Sequence, residues 1–426
     1  LGAPEADLAP LARRAAERLS SAGRRAFLRD DMGAAAGLLS RSRALCASDD
    51  PMVPELSWRL GVALVETGRL EEAQQVLDEG LRVAGSPETV AGWRLRLERA
   101  DLDFWRDPEV RSTTELEDLA DAAIAACGEL EDWATVARAY RLKGDALGRR
   151  GAQAAALMAY EEGQRLALRV GDEREANERA NLGIVIGPLP VERCIEFTKR
   201  RLEGAERENP EDHSQLGLAL AMAGSFEESR AAFDVALSRA HELGAEWKLA
   251  SIAMYHAAAL LIEDRAAEAE AALRPAVESL QRMGEKSQFS TAIALLAEAL
   301  YRQGKLDEAM LATLASEGST APDDLASQMA WRGVRAKVLA ARGDLREAES
   351  LGRSAVVFAD RTDMLSFAAD AHVDLAIVLA TQGTAEAIGE LERALALYRE
   401  KGNVVSAARA GSKLRELRAP VSASGN

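Results

Sequence analysis

One segment keeps returning along this chain. Leu60–Ala73 reads LGVALVETGRLEEA, and it recurs in altered form as LGLALAMAGSFEES (Leu216–Ser229), LAEALYRQGKLDEA (Leu296–Ala309), RAKVLAARGDLREA (Arg335–Ala348) and LAIVLATQGTAEAI (Leu375–Ile388). Such self-similarity restricts the fold to stacked supersecondary units, each too small to bury its own apolar face alone. A turn residue can be followed through the repeats at Asp30, Gly68, Asp107, Gly151, Gly187, Gly224, Asp264, Gly304, Gly343 and Gly383, with gaps of 36 to 44 residues. Ten units account for most of the 426 residues, so the two or three compact domains that this length suggests are replaced by one continuous array.

Each unit reads as two antiparallel helices of about 15 to 18 residues. A Leu/Ala-rich helix ends at the turn residue, and a second helix opens with acidic and small residues. Glycine takes the left-handed conformation that satisfies the last helical carbonyls, and aspartate tolerates it better than most residues. Breakers fall between the units: Asp49-Asp50-Pro51, Gly85-Ser86-Pro87, Asn209-Pro210, Gly284, Thr320-Ala321-Pro322 and Gly402-Asn403. Small residues stand seven places before the turn (Gly61, Gly144, Gly217, Ala257, Ala297, Ala336, Ala376) and five after it (Ala73, Ala156, Ala269, Ala309, Ala348). They allow the two helices to approach closely. Larger residues nine after the turn, such as Leu77, Tyr160, Phe233 and Leu273, are expected to fill the gap to the next unit. Three places break the pattern. Arg106–Thr114 is too polar and Pro-broken for a tight turn, Gly187-Pro188-Leu189-Pro190 stiffens the fifth turn, and Pro275 should bend its helix. Arg409–Arg418 reads as a capping helix, and residues 420–426 as a disordered tail after a single solenoid spanning 1–419.

The array resembles the tetratricopeptide repeat (TPR) family, on Leu216-Gly217, Phe233 and Ala236 and on Gly144, Ala156 and Tyr160. The early Trp and terminal Pro of that family are mostly missing, and the period exceeds its usual length of about 34 residues. The resemblance implies an all-α fold: a right-handed α-solenoid superhelix of about ten TPR-like helix pairs plus a C-terminal capping helix. The stretch from Ala15-Ala16-Glu17-Arg18-Leu19 through Leu38-Leu39-Ser40-Arg41 is similar to the junction where bacterial STAND-type ATPase proteins, either fused to class III adenylate/guanylate cyclases or LuxR-type, begin a C-terminal TPR region. Ala394–Asn403 is similar to how those arrays end. That resemblance, with a first residue that is not Met, implies a sensor region cut from a longer cytoplasmic signalling protein, its ATPase lying elsewhere.

The patterns of catalysis are missing. There is no GxxxxGK[ST] loop, no GxGxxG after a strand, no GxSxG elbow and no HExxH. The four histidines and three cysteines lack metal-ligand spacing. Neither catalysis nor a cofactor is therefore expected of this chain. A net charge of −16 opposes direct nucleic-acid binding, and no apolar run reaches the roughly 18 residues of a membrane span. A protein, a peptide or a small inducer is the expected partner, with a freestanding scaffold that assembles other proteins or itself as the alternative.

In a helical-pair solenoid the concave face, lined by first helices, is the surface to search. The resemblance places groove positions 13, 10, 6, 3 and 2 residues before each turn. In the third unit these include Arg94, Asp101 and Trp105, with Leu97 and Phe104; in the fourth they include Arg138, Arg141, Asp145 and Arg149. The eighth supplies Glu298, Tyr301 and Arg302, and the ninth Lys337. Arg138 and Arg141, one helical turn apart, suit a carboxylate or phosphate, or else ion pairs with nearby acids. Asn177 and Asn181 are also one turn apart and suit a peptide backbone. Met254, Ala258, Leu261 and Ile262 of the seventh unit form an apolar trough fitted to a partner helix, or face the adjacent turn of the solenoid.

Overall fold

The computed structural model describes residues 5–85, 89–177, 183–204, 209–244 and 246–419. Ser86-Pro87 of one breaker, Asn181 and the predicted tail 420–426 lie outside the described residues, as does the side chain of Asn177. Every element of regular structure among the described residues is helical. The first five pairs are α1 (Glu5–Leu28) with α2 (Met32–Arg43), α3 (Val53–Glu66) with α4 (Leu70–Ala84), α5 (Val90–Arg106) with α6 (Thr113–Glu129), α7 (Trp133–Arg149) with α8 (Gln153–Arg169), and α9 (Glu173–Asn177) with α10 (Val191–Gly204). The second five are α11 (Pro210–Met222) with α12 (Phe226–Leu243), α13 (Glu246–Ile262) with α14 (Ala266–Met283), α15 (Ser287–Arg302) with α16 (Leu306–Glu317), α17 (Leu325–Arg342) with α18 (Leu345–Ala359), and α19 (Leu365–Thr381) with α20 (Glu386–Lys401). α21 (Val404–Arg418) caps the array, beginning five residues before the expected start because Asn403 accepts from the Ser406 amide and opens the helix. This is a TPR-like α-solenoid of ten helix pairs.

The turns show why. Eight of the ten tracked residues have φ between 64° and 94°, among them Asp30 and Asp264. In each of these eight turns the residue after the tracked one donates its amide to a carbonyl five back, as Arg69 does to Leu64 at 2.8 Å and Lys305 to Leu300 at 3.0 Å. That bond is the Schellman closure of a helix C-terminus. The two exceptions are the turns read as irregular. Asp107 has φ −140° and leads into the open connection 107–112, while Gly187 sits in the Pro-rich segment before α10. α14 runs through Pro275 without interruption.

The small residues lie where the paired helices meet, and the large ones pack both on them and toward the next unit. A Cβ placed on Gly217 would stand 2.6 Å from the Phe233 ring, and one on Gly61 would stand 2.5 Å from Leu77. The side chain nine after the turn packs onto the missing Cβ seven before the turn of its own unit, and Phe233 also reaches the next unit, where it stacks on His256 of α13 with ring centres 4.6 Å apart. The cause is that both positions fall on the facing stripes of one antiparallel pair. Phe233 is fully buried there.

First helices pack on first helices along the array, as α11 on α13, α13 on α15 and α15 on α17 on α19, so they line the inner side. The coil also touches itself. The Thr113 amide donates to Asp323 at 2.7 Å, and the Gln153 and Ala154 amides donate to Asp363 at 2.7 and 2.8 Å. Lys401 Nζ donates to the carbonyls of Gly187 and Leu189 at 2.7 and 2.6 Å. These partners are 209 to 214 residues apart, which is about five units. Acids from one superhelical turn thus cap the exposed helix N-termini of α6 and α8 in the turn before, and the inner side is wrapped into a channel. No helix among the described residues is long and apolar enough to cross a membrane.

Candidate functional site

The channel has a volume of about 790 Å³, and its wall is built from the inward stripes of first helices. On α13 the stripe is Ser251, Met254, Ala258, Leu261 and Ile262; on α15 it includes Thr291, Ala294, Glu298, Tyr301 and Arg302. These are the positions 13, 10, 6, 3 and 2 before the turn. A helix of 3.6 residues per turn returns them to one face. α17 adds Ala330 and Lys337 by the same rule, and α19 adds Asp370, Val373 and Ile377.

The middle of the wall is apolar, with Met254, Ala258, Leu295, Val334 and Phe367. The ends of α15 are not. Toward its C-terminus, Lys337 Nζ lies 2.6 Å from Glu298 and 2.6 Å from Asp374, and Arg302 Nε lies 2.7 Å from Glu298. Burial alone would neutralise Lys337, yet Asp374 and Glu298 more than offset it and hold the ammonium above its ordinary range. The two acids diverge. Burial raises both, but Lys337 and Arg302 together pull Glu298 down to about 2. Asp374 has Lys337 alone, with Glu298 and Asp370 opposing, and stands near 7. Asp370 is reached by water, accepts from the Tyr398 hydroxyl and is raised by the surrounding protein. α21 closes this end: Arg409 donates to the last carbonyls of α13, where Arg302 also reaches Leu261 O at 2.6 Å.

Toward the N-terminus of α15, about ten residues and therefore about 15 Å away along the helix, two superhelical turns meet. Arg149 of α7 lies 3.4 Å from the ring centre of Phe104, donates from Nη2 to the Phe104 carbonyl, and reaches Ser287 Oγ at 3.2 Å. Among the described residues its Nη1 has no partner, and neither has Oε1 of Gln288, another residue that lines the channel. Glu285 accepts the Gln288 and Phe289 amides at 2.9 and 3.0 Å, capping α15. Burial pushes its carboxyl up to about 8 against those bonds and the pull of Arg149. Asp324 is likewise raised by burial, and Asp145 accepts from the Tyr160 hydroxyl at 2.8 Å.

Of the residues singled out from the sequence, Trp105, Asp145, Glu298, Tyr301, Arg302 and Lys337 stand on the channel wall. Arg94, Asp101, Arg138 and Arg141 do not; the last three belong to a buried network behind it, and Arg94 is half-buried. Arg141 reaches Glu175 at 2.9 Å and Asp101 at 3.2 Å, Arg138 reaches Glu175 at 3.3 Å, and Asp101 accepts from Trp105 Nε1 at 3.0 Å. Burial disfavours the Arg141 charge, but Glu175 and Asp101 hold it well above its usual value. Arg94 pairs with Asp132 at 3.0 Å. The partner that takes up both arginines is Glu175 of α9, which the repeat pattern does not mark. Asn181 and the side chain of Asn177 lie outside the described residues. Asp370 and Asp374 were left out of the sequence-based set, although Asp370 holds the first groove position of its unit; Gln288 holds none. Among the described residues no cluster of His, Cys, Asp or Glu is arranged to hold a metal ion.

No protein-family model matches the chain, and no curated protein matches it. Among solved structures the chain is similar to a Rap protein complexed with competence and sporulation factor, at 11% identity and a TM-score of 0.47, over 86% of this chain and 97% of that one. It is also similar to yeast Tom70, at 14% identity and a TM-score of 0.34, over 96% of this chain and 98% of that one.

Proposed function

We propose that the chain is a non-catalytic binding module whose channel takes an extended peptide-like ligand and passes its occupancy to a linked signalling domain. The observation that carries this reading is the wall along α15: apolar in the middle and polar at both ends, over about 15 Å. An extended peptide advances about 3.3 to 3.6 Å per residue, so four or so residues span it. The volume of 790 Å³ lies within the range of about 300 to 1,000 Å³ of small-ligand sites. Apolar side chains would bury against Met254, Leu295 and Val334, while backbone or terminal groups meet the polar ends. The similarity of Ala15–Arg41 and Ala394–Asn403 to signalling-protein junctions supports the link to a further domain.

The test is native mass spectrometry of the chain with pooled tetra- to hexapeptides, repeated on Ala258→Trp, which fills the lumen. A one-to-one adduct that disappears in Ala258→Trp is the expected result. No adduct, or one indifferent to the filling, overturns the reading.

A further inference from the structure

Within that channel, we infer that Asp370 takes a cation: the ligand carries a primary ammonium, on a chain of a few carbons, that pairs with this carboxylate. The inference deepens the reading of the channel as a binding site and rests on it. Three observations carry it.

The first is an open acceptor. Asp370 lines the channel and is exposed. Its Oδ1 accepts from the Tyr398 hydroxyl, and among the described residues its Oδ2 has no partner. The other acids at this end are not open in that way. Glu298 has Arg302 on one oxygen and Lys337 on the other. Asp374 has Lys337 on Oδ1, and its Oδ2 lies so close to Gly333 that a Cβ there would stand 2.3 Å from it.

The second is charge. The cations nearby already have acceptors. Lys337 lies between Glu298 and Asp374, Arg302 gives Nε to Glu298 and Nη1 to the Leu261 carbonyl, and Arg409 donates to the Leu261 and Ile262 carbonyls. None of the three forms an ion pair with Asp370. Over the whole lining seven carboxylates face five cationic side chains. A cationic ligand complements that excess, and an anion adds to it. The surrounding protein raises the Asp370 carboxyl although Tyr398, Arg302 and Lys337 all pull it down. An ammonium at Oδ2 supplies the opposite charge that this carboxylate lacks.

The third is what flanks the carboxylate. Phe367 stands one helical turn before Asp370, Val373 one turn after and Ile377 two turns after, and all three line the channel. A short carbon chain can lie along these apolar side chains while its ammonium meets the acid, as a lysine stem lies on apolar surface with its head group in a polar place.

Butylammonium, butanol and butyrate share one carbon chain and differ in charge, so they serve as probes. Each is titrated against the full chain by saturation-transfer NMR. Butylammonium is expected to bind at least about tenfold more tightly than butanol, with butyrate the weakest. Asp370→Asn keeps an oxygen for the Tyr398 hydroxyl and removes the charge, so it should abolish the preference without changing the circular dichroism of the helices. Equal binding of the three probes overturns the inference, as does tighter binding of butyrate or a preference that survives Asp370→Asn. A peptide can bring the ammonium as its amino terminus or as a lysine side chain. Native mass spectrometry therefore compares a lysine-free pool with free amino termini and an N-acetylated pool containing lysine, each on the parent chain and on Asp370→Asn. The pool whose adduct weakens in the variant identifies the source, and adducts indifferent to the variant overturn the inference. A chain that selects butylammonium through Asp370 but binds no peptide fails the previous test and passes this one, so the two readings fail separately.

Discussion

At the C-terminal end of α15, Lys337 meets Glu298 and Asp374 at 2.6 Å each; at the N-terminal end, the buried Arg149 leaves one nitrogen unpaired among the described residues. Both cations line the same channel, yet one belongs to a closed set of partners and the other to an open one. The closed set joins α15, α17 and α19, consecutive first helices, and works as an internal staple. The open set lies where two superhelical turns meet, so its geometry is fixed by contacts far apart in sequence.

The sharpest way to break this contrast is to remove each cation in turn. Lys337→Met leaves Glu298 and Asp374 buried together without their shared ammonium, and stability should fall by about 3 to 5 kcal/mol. Arg149→Met also removes an unpartnered donor, and the loss should be no more than about 2 kcal/mol. Urea unfolding followed by circular dichroism measures both. Equal losses would mean that the Arg149 end is as fully satisfied as the other.

Much of this was legible from the repeat. The turn residues marked the pairs because only glycine and a few short polar residues tolerate positive φ, and Asp30 and Asp264 filled the same role. Groove positions counted back from the turn found Glu298, Arg302 and Lys337, because a regular helix carries the count faithfully. The count does not separate Arg138 and Arg141, which Glu175 of α9 takes into ion pairs, from the wall. Gln288 gave no signal, since a polar residue in the first turn of a helix looks like any solvated one. Its neighbour Ser287 meets Arg149 of α7, 138 residues earlier. A local period does not record where a coil meets itself.

The two ends also differ in how they respond to pH. Glu285, near Arg149, titrates near 8 in the folded chain against an ordinary 4.5, so the folded state keeps a proton that the unfolded chain has released. Its contribution is complete below about pH 4.5 and is lost as pH rises through 8, by an amount on the order of 5 kcal/mol. Glu298 is the reverse: depressed to about 2, it contributes above pH 4.5 and loses that contribution as pH falls toward 2. Asp374, near 7, adds to the alkaline loss with the same sign as Glu285. Glu285→Gln should therefore gain on the parent chain as pH rises from 5 to 8.5, and Glu298→Gln should lose on it over the acidic limb from pH 3 to 5. Thermal melts across that range measure both. A flat difference for Glu285→Gln would place its titration at an ordinary value and remove the asymmetry.

The smallest expected effect lies at the seam. Asp363 caps α8 from a loop about 210 residues later, taking the Gln153 and Ala154 amides on its two oxygens. Helix caps contribute about 0.5 to 2 kcal/mol, so Asp363→Ala should lower stability by about 1 kcal/mol. The distribution of that loss is more informative than its size. Gln153 follows Arg149 by four residues, and the seam also holds Lys286 N to the Trp105 carbonyl at 3.1 Å. Amide hydrogen exchange in Asp363→Ala should quicken in the first turn of α8 and at the start of α15, where Arg149 meets Ser287. It should leave the last turns of α15 and α17 unchanged, because Glu298, Lys337 and Asp374 are joined through consecutive helices and not across the seam. Exchange that quickened equally at both ends would show the channel loosening as one body, and the two ends would then share one source of rigidity.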